Sequence, residues 1–249
     1  MTEHERLMYE VLGRISATEA PIIFKGALIT KLVLAEHGYT ALDRLTRDID
    51  ANWTDKPPTM DDLVGTIQKS LGDLQNQLYA VAIREYEAKK SAGISIRSIS
   101  TDKEIMSMHI SIKPYIDSKM YYYGELGVKG VLPTEVLADK ITVLSKQLVF
   151  RRAKDLIDVY ALAHCVEIKT QKIYEVMTRK SAVIGEFSEI RNRRDELEHA
   201  YDKLKGIEGK PLFSDVYPYL IKFLRPFICS NRTPLIWNTE KQSWDDCRE

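Results

Sequence analysis

Apolar positions at Leu7, Met8, Val11, Leu12 and Ile15 recur at helical spacing and predict a helix over residues 4–15. Ile22 to Phe24 reads as a short strand or a buried approach; Gly26 then opens a helix carrying Leu28, Leu32 and Ala35, and Gly38 ends it. "DIDANW", residues 48–53, reads as a strand. "TMDD", Thr59 to Asp62, has the spacing of a capping box with Asp in place of Glu, and predicts a long helix with Leu63, Ile67, Leu71, Leu74 and Leu78 on one stripe. The period then changes. "ISIRSIS" (94–100) and "IMSMHISIK" (105–113) alternate on either side of "TDKE", which is a hairpin signal.

Past "GVKGVLP" the pattern turns helical, with stripes at Leu137, Ile141, Leu144 and Leu148 and at Leu156, Val159, Tyr160 and Ala163. Residues 171–205 are highly charged and predict one or two solvated helices. "FSDVYPYLIKFLRPFI" (213–228) is rich in aromatics, with prolines that interrupt a helical pattern, and the last twenty residues read as a tail or a loose strand. The expectation is a small α+β domain over residues 1–130 and a helical domain over 131–249, divided at the glycines and proline of "GELGVKGVLP".

With 249 residues and 44% hydrophobic content, the chain is long enough for a sizeable core in one large or two small domains. Its 36 bases balance 36 acids, so no global basic field draws it to nucleic acid or to a membrane surface, and any such contact must rest on a local patch. Cys165, Cys229 and Cys247 are odd in number and have no CxxC spacing, which fits a reducing compartment rather than a disulfide framework or a zinc site. No long apolar run suggests a signal peptide or a membrane span, so a soluble, cytoplasmic protein is expected.

Candidate chemistry centres on "RLTRDID", residues 44–50. In a strand, Asp48 and Asp50 point to one face, about 7 Å apart. A divalent cation between them would relieve their repulsion, and Mg²⁺ is bound by one or two carboxylates with waters and substrate phosphates. An exposed turn gives the same D-x-D pattern. Upstream, Gly26 in "FKGALITK" allows backbone N–H groups at a helix N-terminus to approach a phosphate, or serves ordinary turn chemistry. Downstream, Lys140 falls beside the apolar stripe of its helix rather than opposite it, within reach of a phosphate. Asp155 and Asp158 share one helix face behind Arg151, Arg152 and Lys154, which would suit phosphates or an RNA backbone as well as plain solvation.

The ordered set "FKGALITKLVL…RLTRDIDANW", "LADKITVLSKQLVFRRAKDLIDVYAL" and "FSDVYPYLIKFLRPF" resembles the AbiEii-type nucleotidyltransferase family, the toxins of type IV toxin–antitoxin and abortive-infection systems. The resemblance runs from about residue 5 to 228. It implies a small nucleotidyltransferase-fold mixed sheet flanked by helices, followed by an all-helical C-terminal domain. It also implies a role for each matched residue. Lys25 and Gly26 would form the nucleotide phosphate turn, and Thr46 and Arg44 would lie beside the same phosphates. Asp48 and Asp50 would hold the catalytic Mg²⁺. Lys140 would contact the triphosphate, and Asp155 would complete the site, orienting Lys140 or helping to activate the acceptor.

Two departures stand out. Gly26-Ala27 replaces the common Gly-Ser, so Thr30 or Thr46 would have to supply the hydroxyl. The strand expected to bring a third carboxylate reads "SMHISIKPY" and offers His109, Ser111 and Lys113 instead, with Asp117 and Glu125 only further on. The expected function is Mg²⁺-dependent transfer of a nucleoside monophosphate from an NTP to an acceptor hydroxyl on tRNA or protein, with a cognate antitoxin as partner and no membrane. The alternative is a catalytically weak module of the same fold that acts by binding an antitoxin or nucleic acid.

Overall fold

The first helical stripe is realised as α1 (Glu3–Ser16), capped by Thr2, whose Oγ1 accepts the Glu5 N–H. It is followed by β1 (Ile22–Lys25), α2 (Gly26–Glu36), β2 (Asp43–Arg44), β3 (Asp48–Trp53) and α3 (Met60–Ser70). Next come β4 (Leu78–Arg84), β5 (Ser91–Ser98), β6 (Glu104–Ile112), β7 (Ser118–Tyr123), β8 (Leu126–Val131), α4 (Pro133–Leu144) and α5 (Ala153–Cys165). The chain continues through β9 (Ile168–Lys169), α6 (Thr170–Arg179), α7 (Ser188–Asn192), α8 (Arg194–Asp202) and β10 (Ile207–Glu208), and ends with α9 (Phe213–Ile228), β11 (Leu235–Asn238) and β12 (Ser243–Asp246). The computed structural model describes residues 2–84, 91–113, 116–146 and 149–247, and only the backbone of Val149; Leu148, expected on the α4 stripe, lies outside the described residues.

The chain forms two compact units, Met1–Leu32 with Thr46–Leu132 and Val33–Leu45 with Pro133–Glu249. The first is built on a seven-stranded sheet of order β4-β5-β6-β3-β1-β8-β7. It is mixed, because β3 runs parallel to β6 and β1 parallel to β8 while the remaining pairs are antiparallel. Alternation gives its faces opposite characters. One carries Ile49, Ala51, Met106, Met108, Ile110, Ala92, Ile94 and Ile96, all buried. The other carries polar side chains in the centre of the sheet. The helix predicted to continue to Leu78 stops at Ser70; a 3₁₀ turn over Gly72–Asn76 follows, and Leu78 instead starts β4.

The second unit contains the expected helical region, made of α4 to α9 together with the end of α2, and carries two small sheets besides, β12-β11-β9 and β10-β2. The final residues are therefore not a tail but a hairpin. Trp237 on β11 is fully buried and donates its indole N–H to the Ala163 carbonyl at 2.7 Å. Pro218 and Pro226 lie inside α9 without ending it. Buried Phe213, Val216, Leu220, Phe223, Leu224 and Phe227 hold the helix through both prolines, so packing outweighs the cost of a helical proline, about 3 kcal/mol. No helix among the described residues is long and apolar enough to cross a membrane.

Candidate active site

Strand register builds the first cluster. β1 pairs with β3 so that Lys25 faces Asp50, and β3 pairs with β6 so that Asp48 faces Ser107 and Asp50 faces His109. Residues paired this way share a face. Lys25, Asp48, Asp50, Ser107, His109 and Ser111 therefore line one side of three neighbouring strands, with apolar residues behind them. Asp48 and His109 are exposed, and Asp50 and Lys25 half-buried. Ser107 donates its hydroxyl to Asp48 Oδ1 at 2.9 Å, and Lys25 Nζ donates to Ser111 Oγ at 3.4 Å. Thr46 Oγ1 donates to the Asp48 carbonyl oxygen at 3.4 Å.

Gly26 joins this cluster through its backbone. Its φ of +75° is a conformation that side chains disfavour, and a Cβ there would run into the Asp50 carboxylate, 3.1 Å from Cγ. The β1–α2 turn thus lies directly against one of the two acids. Thr30 is buried and donates to the Gly26 carbonyl at 2.9 Å, so its hydroxyl serves the helix start. The expected gap is present on β6: Ser107 and His109 stand opposite the two aspartates. Asp117 and Glu125 flank β7, the edge strand, which β1 and β8 separate from β3. Asn52, on the same face as Asp50, is 2% exposed, and its Oδ1 has no hydrogen-bond partner among the described residues.

The donor set fits a hard divalent cation. Two carboxylates share a face, one steadied by a hydroxyl and the other closely approached by backbone. Among the described residues no cluster of three or more His, Cys, Asp or Glu groups could hold a metal alone. Mg²⁺ commonly makes do with one or two carboxylates, completing its shell with waters and substrate phosphates.

The second cluster lies within the second unit. Lys140 on α4 is 8% exposed and donates to Asp155 Oδ1 at 2.8 Å and to Asp158 Oδ2 at 2.6 Å, both on α5. Asp158, 3% exposed, also accepts from Arg44 Nη2 at 2.9 Å. Burial pushes the Lys140 ammonium toward neutrality, but the charges of Asp158 and Asp155 outweigh it and hold its pKa above the ordinary lysine value. The spacing of Asp155 and Asp158 showed a shared face; it did not show that Asp158 is the hub bonded to two cations.

Arg44 is anchored by a feature that sequence reading missed. β2 pairs with β10, Arg44 opposite Ile207, and the Leu45 N–H donates to the Gly206 carbonyl at 2.9 Å. Gly206 and Gly209, at φ +70° and +67°, flank β10, and a Cβ at Gly209 would overlap the Ala41 carbonyl. The "GIEG" spacing was the available signal. Arg151, Arg152 and Lys154 are exposed.

No curated protein matches the chain. Among solved structures, the chain is similar to the nucleotidyltransferase toxin MenT4 of Mycobacterium tuberculosis H37Rv, with 16% identity and a TM-score of 0.47 over 77% of this chain; it spans 66% of that one, just under two thirds of its length. An antigenic nucleotidyltransferase-like protein of Paracoccidioides brasiliensis is similar at 14% identity and a TM-score of 0.46, over 80% of this chain and 92% of that one. The family model for the nucleotidyl transferase AbiEii toxin of type IV toxin–antitoxin systems matches residues 7–208, and the chain belongs to that family.

Proposed function

We propose that this protein transfers a nucleoside monophosphate from an NTP to an acceptor hydroxyl on tRNA or protein, releasing pyrophosphate, and that it is the toxin of a pair with a cognate antitoxin. The observation that carries this reading is the register of β1, β3 and β6, which brings Lys25, Asp48 and Asp50 onto one face beside the Gly26 turn. Asp48 and Asp50 would hold Mg²⁺, which when bound neutralises phosphate charge and lowers the pKa of an attacking hydroxyl. The N-terminus of α2, entered through Gly26, offers backbone N–H groups and the positive end of a helix dipole to phosphates. Lys25 adds a cation next to Asp50 in register, and Thr46 fixes the backbone at Asp48. We assign Lys140 a phosphate contact. An ammonium has three donors; among the described residues two of them go to Asp155 and Asp158, which leaves one for a phosphate. Arg44 supports the same arrangement through Asp158. In transfer, the acceptor oxygen bonds to the α-phosphorus, the α–β bridging oxygen leaves with pyrophosphate, and the acceptor proton is lost.

One observation favours the second reading, a weakly catalytic module that binds an antitoxin or nucleic acid: Ser107 and His109 occupy the β6 positions facing Asp48 and Asp50. One assay separates the two. The purified protein, Asp48→Ala and Asp50→Ala are each incubated with labelled NTPs, Mg²⁺ and total tRNA. Enzymatic transfer should fall about 10²–10³-fold in each variant, the scale of losing a group aimed at developing charge. Transfer that survives both substitutions removes the metal assignment. Absence of transfer with every NTP, together with no heat of NTP binding, favours the module.

A further inference from the structure

We infer that Ser107 is a positioning residue that presets the Asp48 carboxylate for a divalent cation; this rests on the reading of Asp48 as a metal carboxylate and adds to it. A serine hydroxyl has one proton to donate. Here it goes to Asp48 Oδ1 at 2.9 Å, from the residue directly in register on β6. That bond fixes the rotation of the carboxylate, leaves Oδ2 for a cation, and draws on a strand anchored from behind by Met106 and Met108, 2% and 0% exposed. Among the described residues the Ser107 hydroxyl donates to Asp48 and to no other acceptor. The next hydroxyl along the row is Ser95, in register with Ser107 on β5, and it donates to Glu104 Oε2 at 2.7 Å. The Asp48 backbone is held independently by Thr46. Asp48 is therefore oriented from both ends although it is exposed, a setting in which a free carboxylate would sample several rotamers.

The geometry also bears on the missing acid. Where a third carboxylate would have added charge, β6 supplies a neutral donor. The hydroxyl does not compete for the cation; it spends its hydrogen bond on the acid already there. Hydrogen-bonded partners of metal-ligating carboxylates typically change metal affinity or activity by about 10–100-fold when removed.

The test is Mn²⁺ binding, followed by electron paramagnetic resonance of the free ion, for the full chain, Asp48→Ala, Ser107→Ala, Ser107→Cys and Ser107→Thr. Ser107→Cys keeps the shape with a weak donor, and thermal melting confirms that each variant is folded. Ser107→Ala and Ser107→Cys should weaken Mn²⁺ binding about tenfold or more, with Ser107→Thr within about twofold of the unchanged protein. In label transfer the same variants should raise the Mg²⁺ concentration needed for half-maximal rate, while the rate at saturating Mg²⁺ recovers. Unchanged Mn²⁺ affinity in both Ser107→Ala and Ser107→Cys, with binding lost in Asp48→Ala, overturns the role of Ser107 alone. Unchanged binding in Asp48→Ala overturns the reading of Asp48 on which it rests.

Discussion

A Cβ placed on Gly26 would come within 3.1 Å of Asp50 Cγ, with the carboxylate oxygen nearer still. The glycine is therefore required twice, once for its φ of +75° and once for the space that Asp50 fills. Gly26→Ala should cost about 1–2 kcal/mol for the left-handed backbone, read as a shifted urea midpoint. Moving Asp50 should add a loss of label transfer that persists when the variant is assayed well below its melting temperature. A variant that is destabilised yet fully active would separate the glycine from the site.

Lys140 between Asp155 and Asp158 gives the second prediction. Lys140→Met leaves two carboxylates facing each other in a largely buried setting, and breaking a buried pair in this way costs about 3–5 kcal/mol. Lys140→Met with Asp158→Leu should recover part of that loss, although Arg44 then keeps an unmet charge. Chemical denaturation of the three proteins measures both steps.

The same lysine sets a pH dependence. Its pKa is raised on folding, so its ion pairs contribute their full stability below the unfolded value of 10.5 and lose it as pH rises through the higher folded value. The stability difference between the unchanged protein and Lys140→Met should stay flat from pH 7 to about 10 and shrink only above that. A difference that shrinks already near neutrality would mean that the ammonium titrates there.

Gly209 tests the anchoring of Arg44. Gly209→Ala drives a methyl group into the Ala41 carbonyl, two residues before β2, at a φ of +67°. The expected cost is about 1–3 kcal/mol, the scale of a strained φ, and it should be non-additive with Arg44→Ala because both substitutions release the same segment. A double-mutant cycle by urea denaturation measures the coupling.

Much of this was legible in the chain, for identifiable reasons. β3 was read over the residues it occupies because "DIDANW" combines alternation with β-favouring Ile and Trp. The β5–β6 hairpin showed the same period-2 signal on both arms. Lys140 stood out because it falls beside the apolar stripe of its helix rather than opposite it, where a purely solvating lysine would be placed. What stayed hidden depends on tertiary pairing. Ser107 looks like any strand serine until register sets it opposite Asp48. Asp158 and Asp155 look alike until Arg44 arrives from more than a hundred positions away. The "GIEG" turn has no purpose until β2 lies against it. The final hairpin was missed because β11 and β12 have four residues each, too few for a period, and because its burial comes from aromatics on α9.

That hairpin yields the last prediction. Trp237 is fully buried, donates to the Ala163 carbonyl on α5, and packs edge-on against Phe223 and Tyr219 and against Trp244. These residues lie beyond the matched span of 7–208, yet they cover the second unit's helices. Trp237→Ala removes one of the largest buried side chains and strands the Ala163 carbonyl, so a loss of about 3–5 kcal/mol is expected. Trp237→Phe keeps most of the packing and loses mainly the hydrogen bond, about 1 kcal/mol. If the hairpin were only a loose appendage, both substitutions would leave the urea midpoint unchanged, and deletion of residues 230–249 would be silent as well. A graded loss, Ala well beyond Phe, would establish the hairpin as part of the core that positions α5, and with it Asp155 and Asp158.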